Sequence, residues 1–258
     1  MNYEALRFEH LLNLTDDKYS VCVHAMLFRS DDETFAQFRS AFKRGAIKRK
    51  SACDALGQLR AHGSPHQKQI TNLLLEHISG EKDEPILCSI IAALGQGERE
   101  ARILNAILSN AEHPSPTVRW RVVCELGKYR DPTAVEALIL RTQDEDEGVR
   151  QGTNYELASL NVDSPAIREA FMIGLSDEEP IVREAALYGL ARLGDERVVP
   201  ALLREFDADG NSKIFHAEQN PPEDTFMLAL RKMADEEFTG DSAELKTAIA
   251  RCEAYVNR

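Results

Sequence analysis

Asp207, Asp209, Asn211 and Glu218 stand at positions 1, 3, 5 and 12 of a twelve-residue stretch, the oxygen-donor spacing of a calcium-binding loop. Ser212 occupies position 6, where such a loop needs a residue that turns at positive φ. Pro221 and Pro222 interrupt the helix that should leave it. A polar loop between two helical stretches is the other reading of 207–218, and no metal is assigned. The histidines His10, His24, His62, His66, His77, His113 and His216 follow no regular spacing. Cys22, Cys53, Cys88, Cys124 and Cys252 are odd in number, widely spaced and without a CxxC pair. That pattern suits reduced thiols in a cytoplasm better than a disulfide frame or a zinc knot. No phosphate loop, nucleophile elbow or dinucleotide fingerprint occurs. Asp16-Asp17, Asp31-Asp32 and Asp144 to Glu147 suit the positive ends of helices rather than acid–base catalysis. No catalytic residue and no cofactor are therefore expected.

The elements that hold these residues belong to a globular chain of 258 residues, 43% hydrophobic and 29% charged. No apolar run approaches the ~20 residues of a membrane span. Met1 to Arg7 lacks a basic segment followed by an apolar stretch, so no secretion signal is expected. The net charge of −12 is the wrong sign for a general nucleic-acid binder. The charge is uneven, with 11 basic and 8 acidic residues in 1–70 against 20 and 35 in 71–258. Seven cations between Arg39 and Arg60 face the single acid Asp54. The cluster reads as a solvated helix end, with RNA or an acidic partner as the alternative.

A repeat organises the chain. Thr117-Val118-Arg119, Gly148-Val149-Arg150 and Ile181-Val182-Arg183 open three similar segments. Eight residues after each Arg stands a small residue preceded by leucine: Gly127, Ala158 and Ala191. Leu56-Gly57 and Leu94-Gly95 extend the column upstream. Val118, Val122, Leu126 and Tyr129 share one helical face, as do Val149, Thr153, Leu157 and Leu160, and Val182, Ala186, Leu190 and Leu193. A turn follows each first helix. A second helix then carries Val135, Leu138 and Ile139; Ile167, Ala170 and Phe171; Val199, Leu202 and Leu203. One such hairpin cannot bury its own apolar face, so copies must stack. The small column then sets how closely first helices approach. Phe35, Phe38 and Phe42 mark an earlier helix, and strand signals are absent.

The stretches PTVRWRVVCELGKYRDPTAVEALI and PIVREAALYGLARLGDERVVPALLREF resemble the HEAT-like repeats of phycobilisome lyases. The resemblance is specific over 117–206, looser over 46–113 and weak elsewhere. It implies an all-α, right-handed α-solenoid of about seven HEAT-like helical hairpins. The expected layout is irregular helices over 1–45, repeats over 46–206, a loop over 207–223 and capping helices over 224–258. It also implies a ladder linking Arg119, Arg150 and Arg183 to acids in the turns: Asp146 or Glu147, and Asp177, Glu178 or Glu179. The chain is further similar to bacterial HEAT-repeat proteins encoded beside Rhs-type toxins, which implies an immunity or partner-binding role. Two enzymatic relatives imply chemistry this sequence does not supply. Deoxyhypusine hydroxylase needs His-Glu pairs after Val-Arg, where Trp120, Gln151 and Glu184 stand. HEAT-like DNA glycosylases need a basic groove.

The expected function is non-catalytic binding of a protein partner on the concave surface formed by the second helices. Glu136, Arg168 and Pro200 share one outward position there, and Leu140, Met172 and Arg204 another, one turn on. Trp120 is the further candidate anchor, because its equivalents Gln151 and Glu184 are polar and imply a solvent-facing position. Packing against a neighbouring hairpin is the competing reading for Leu140, Met172 and Trp120. The acidic bulk implies a basic partner, a toxin included. A phycobilin-lyase-like enzyme or enzyme auxiliary is the alternative; neither a membrane nor a nucleic acid is expected.

Overall fold

A computed structural model of the protein describes residues 32–201. The expectations for the first 31 residues, Arg204, the calcium-like loop 207–218 and the closing helices 224–258 lie outside the described residues. Ten α-helices and a 3-10 turn make up the described chain, and no strand occurs among its residues. The chain divides into two compact units, residues 1–128 and 129–258.

The first unit contains α1 (Asp32–Ala41), α2 (Ala46–Ala61), α3 (Gln67–Ile78), α4 (Glu84–Leu94), α5 (Ala101–Leu108) and α6 (Pro116–Leu126). Helices α2, α4 and α6 pack side by side, while α3 packs on both α4 and α5. Phe38 of α1 and Phe42 just beyond its end are buried, and the Phe42 ring lies 4.3 Å from that of His77. A second histidine, His66, stacks on Phe35 at 6.2 Å. These rings pack against aromatic side chains; among the described residues no group of His, Cys, Asp and Glu could hold a metal. Cys53 is buried, and burial pushes its thiol well above the ordinary range, which leaves it unreactive.

The second unit contains α7 (Pro132–Arg141), α8 (Glu147–Leu160), α9 (Pro165–Gly174), α10 (Pro180–Arg192) and the 3-10 turn Glu196–Val198. Here α8 packs on α10, and α9 packs on both α7 and α10. Local chemistry starts these helices. Pro stands in the first turn of α4, α6, α7, α9 and α10, where its missing N–H costs nothing. Side chains of Asp131, Asp146 and Ser164 accept the N–H groups of Thr133, Val149 and Ile167 at 2.9, 3.0 and 3.2 Å. Asn161 ends α8 in the left-handed region, at φ 52°.

The repeat face is core except at Leu193, which is half-buried. Val118, Val122, Leu126, Val149, Thr153, Leu157, Val182, Ala186 and Leu190 are all buried. Each fully buried aliphatic chain contributes roughly 1.5–3 kcal/mol. The small column does what its position requires. A Cβ on Gly57 would stand 3.0 Å from the Cα of Ala93, so α2 and α4 meet backbone to backbone. In the second unit Gly189, two residues before the column's Ala191, packs against α9: a Cβ there would enter the ring of Phe171.

The repeated arginines have a fixed local task. Arg119 Nη1 donates to the carbonyls of His113 and Pro114 at 2.9 and 3.0 Å. Arg150 does the same to Asp144 and Glu145, and Arg183 to Asp177 and Glu178. Each guanidinium thus closes the turn that precedes its own helix. Arg150 also forms a rung to the next repeat, with Nε and Nη2 donating to both oxygens of Asp177 at 2.8 and 2.9 Å. Burial is the largest single effect and acts against the Asp177 charge, but the Arg150 hydrogen bonds, the Glu179 N–H and the charges of Arg150 and Arg183 together hold the carboxyl below its ordinary range. Asp146, expected in the ladder, caps α8.

Candidate functional site

Apolar side chains that a folded repeat leaves in water are the first place to look for function. Among the described residues the large exposed ones are Ile47, Trp120, Leu140 and Ile173. Leu140, at 60% exposure, projects from the last turn of α7 beyond the buried Leu138. Glu136, one turn earlier, is exposed as well. On α9 the equivalent Met172 is half-buried, and its neighbour Ile173 carries the exposure at 47%. The expected apolar column therefore shifts by one residue between the two helices.

Arg168, which the sequence places at the same outward position as Glu136, is held by its own unit. Its Nε and Nη2 donate to the two oxygens of Asp163, both at 2.7 Å, and Nη1 donates to Asp195 at 2.8 Å. Asp195 also accepts from Arg197. The arrangement is a fork-to-fork ion pair with a branch, and it fixes the α9 start to the turn after α10. The Arg197 bonds first, with those of Arg168, hold Asp195 well below the usual carboxylate range against the effect of burial.

The Trp120 column does not behave uniformly. Trp120 on α6 is 41% exposed, and the Arg121 guanidinium lies 5.3 Å over its ring. Gln151 on α8 is half-buried. Glu184 on α10 is only 8% exposed, and its Oε2 has no hydrogen-bond partner among the described residues. Burial pushes its carboxyl up to about 7. The expectation that this whole column faces solvent thus fails at Glu184. The reason stands on the same two helices: Tyr155 and Tyr188 pair at 5.7 Å between centroids. Burial, and secondarily the Glu184 charge, pushes the Tyr155 hydroxyl up to about 12.

Among its described residues the first unit has no such tyrosine pair, and a groove lies there instead. Lys50, Asp54, Gly57 and Gln58 of α2 form one wall; Thr117 and Arg121 of α6 form the other. The floor is α4, with Cys88, Ser89 and Ala92. The groove comprises two adjoining depressions of about 270 and 460 Å³ that share Asp54, Ser89 and Ala92. Asp54 is paired with Lys50 at 2.8 Å, and Glu84 at the rim accepts from Ser115 Oγ at 2.7 Å. The Cys88 thiol points to the Thr117 carbonyl at 3.8 Å, and burial raises its pKa. Sequence reasoning passed over this groove because small residues on a packed helix read as core. The alignment of Ala92 with Tyr155 and Tyr188 is the signal that could have found it.

The basic cluster resolves into separate roles. Arg60 is buried at 1% exposure; Nε donates to the carbonyls of Ala93 and Gln96, and Nη2 to those of Leu94 and Glu98. Arg49 pairs with Glu81 at 3.3 Å and Lys50 with Asp54. Arg39, Lys43 and Arg44 are exposed.

No helix among the described residues is long and apolar enough to cross a membrane. Among curated proteins nothing matches the chain. The crystal structure of YibA from Escherichia coli shares its fold at a TM-score of 0.68, with 18% identity over 97% of this chain and 94% of that one. An engineered protein of known structure aligns at a TM-score of 0.47 and 15% identity, over 84% and 96% of the two chains. The all-helical hairpins and the likeness to YibA place the fold in the α-solenoid class. A sequence profile described as HEAT repeats matches residues 71–158 and 142–219, more than half of the chain. The protein therefore belongs to the HEAT-repeat family.

Proposed function

We propose that this chain is a non-catalytic binding protein that takes up a basic protein partner and neutralises it. HEAT repeats are typical of protein-interaction scaffolds, because stacked hairpins present long rigid faces without a deep reactive cavity. The observation that carries the reading is exposed apolar anchors on well-packed helices: Trp120 in the first unit, Leu140 and Ile173 in the second. Rigid aromatic and aliphatic anchors left in water are what protein interfaces use. The excess of 35 acidic over 20 basic residues in 71–258 supports a basic partner through steering. The resemblance to HEAT-repeat proteins encoded beside Rhs-type toxins supports neutralisation of a toxin as the biological purpose.

Co-expression tests this directly. Each basic protein encoded beside the gene for this chain is produced with and without it. The expected result is that one of them arrests growth alone, is tolerated with this chain, and copurifies with it in a complex that dissociates as salt rises. Neighbours that are harmless alone and do not copurify contradict the proposal.

A further inference from the structure

We infer that the groove over α4 is a recognition site for an extended peptide segment carrying an apolar side chain next to a carboxylate. The inference rests on the reading of the chain as a partner-binding protein and names what one of its surfaces recognises. Three observations converge on it.

The groove exists because one position changes along the stack. Three residues before the small column stand Ala92 on α4, Tyr155 on α8 and Tyr188 on α10. In the second unit the two tyrosines meet and cover the surface between their helices. In the first unit Ala92 leaves that volume open, and Cys88 and Ser89 beside it are equally small. A depression of about 460 Å³ accommodates a large apolar side chain with backbone on either side.

The groove also has an incompletely used cation. Of its charged groups, Lys50 is paired with Asp54, and Glu84 with Ser115. Arg121 forms no hydrogen bond among the described residues, and its Nε is buried without a partner. Its nearest acid, Glu125, lies at 3.8 Å and is held by Lys128. A guanidinium with free donors in a fixed plane matches a carboxylate in two-point geometry.

Trp120 makes that cation more effective. The indole face lies under the Arg121 guanidinium, which removes water from one side without consuming its N–H donors. One carboxylate of the partner then sets its register at Arg121, while the partner's net charge governs long-range attraction. The two requirements are independent.

The test selects from a phage-displayed library of random dodecapeptides on the full-length chain. The expected peptides carry an apolar residue adjoining Asp or Glu. They bind with a change in the emission of Trp120, the single tryptophan. Ala92→Tyr fills the groove with the residue the second unit uses there, and Arg121→Gln removes the cation while leaving the helix surface intact. Each weakens the selected peptides at least tenfold. Should Ala92→Tyr misfold by circular dichroism, Arg121→Gln carries the decision. Peptides without an acidic residue, or bound equally by wild type and Arg121→Gln, overturn the carboxylate assignment. Equal binding by a folded Ala92→Tyr overturns the groove and leaves partner binding standing. Failure to enrich any peptide also overturns the groove, and partner binding is then decided by the co-expression experiment.

Discussion

Glu125 folds its carboxylate into the space where Gly95 lacks a side chain, one first helix reaching into the end of its neighbour. The acid is 1% exposed and is met there by Lys128, with burial raising its pKa against the pull of that lysine. A Cβ on Gly95 would fall within the carboxylate itself. Gly95→Ala should therefore cost about 1–3 kcal/mol, the range for overpacking a filled site. In a Glu125→Ala background the same substitution should cost much less. A double-mutant cycle in urea measures the coupling. Equal costs in both backgrounds would show that the two residues are not in contact.

Arg60 ties α2 to the loop after α4 through four carbonyls, and Gly97 at φ 73° lets that loop close over it. Arg60→Met keeps the stem but leaves those carbonyls without donors in a buried place. The expected loss is about 3–5 kcal/mol. Thermal unfolding reads it; a loss no larger than that of Arg39→Met, an exposed site, would contradict the assignment.

Glu184 and Asp177 should give pH dependences of opposite sign. Folding raises the Glu184 pKa from 4.5 to about 7. The folded chain then keeps a proton that the unfolded chain releases, so this stability is fully present below about 4.5 and is lost as pH rises through 7. Glu184→Gln, which copies the residue at the same place in α8, should stabilise the protein at pH 8 by about 1–2 kcal/mol and change little at pH 4. Urea midpoints at the two pH values check it. A destabilised variant at pH 8 would mean that the carboxylate has a partner.

Asp177 behaves in the other direction. Its pKa is held below 3.8 by Arg150, so its contribution is present above that value and disappears as pH falls through the lowered one. Asp177→Asn should cost about 1–2 kcal/mol at pH 7, since the pair is only partly exposed, and less at pH 2. Stability against pH by circular dichroism distinguishes this from a simple packing defect, which would cost the same at both.

The hairpins were legible because their apolar residues recur with helical spacing and each turn carries its own cap, as at Asp131 and Ser164. The division of labour among charges was not. Arg60 and Arg49 have the same type and neighbourhood in sequence, yet one is buried among carbonyls and the other pairs with Glu81. Arg168 looked like an outward residue because its spacing is outward; the two acids that hold it come from flanking turns at other places in the sequence. Trp120, Gln151 and Glu184 share a register, but burial there is decided by whether a tyrosine stands one turn further along. A column predicts direction along a helix and says little about what covers it.

The central claim is that exposed side chains on a rigid repeat, rather than a reactive centre, give this protein its role. Affinity for the copurifying basic partner, measured by calorimetry for wild type and Trp120→Ala alongside their melting temperatures, probes it most directly. The expected result is at least a tenfold loss of affinity with a melting temperature unchanged within about 2 °C. Unaltered affinity accompanied by a large drop in melting temperature would show that Trp120 serves the fold alone, and would contradict the account.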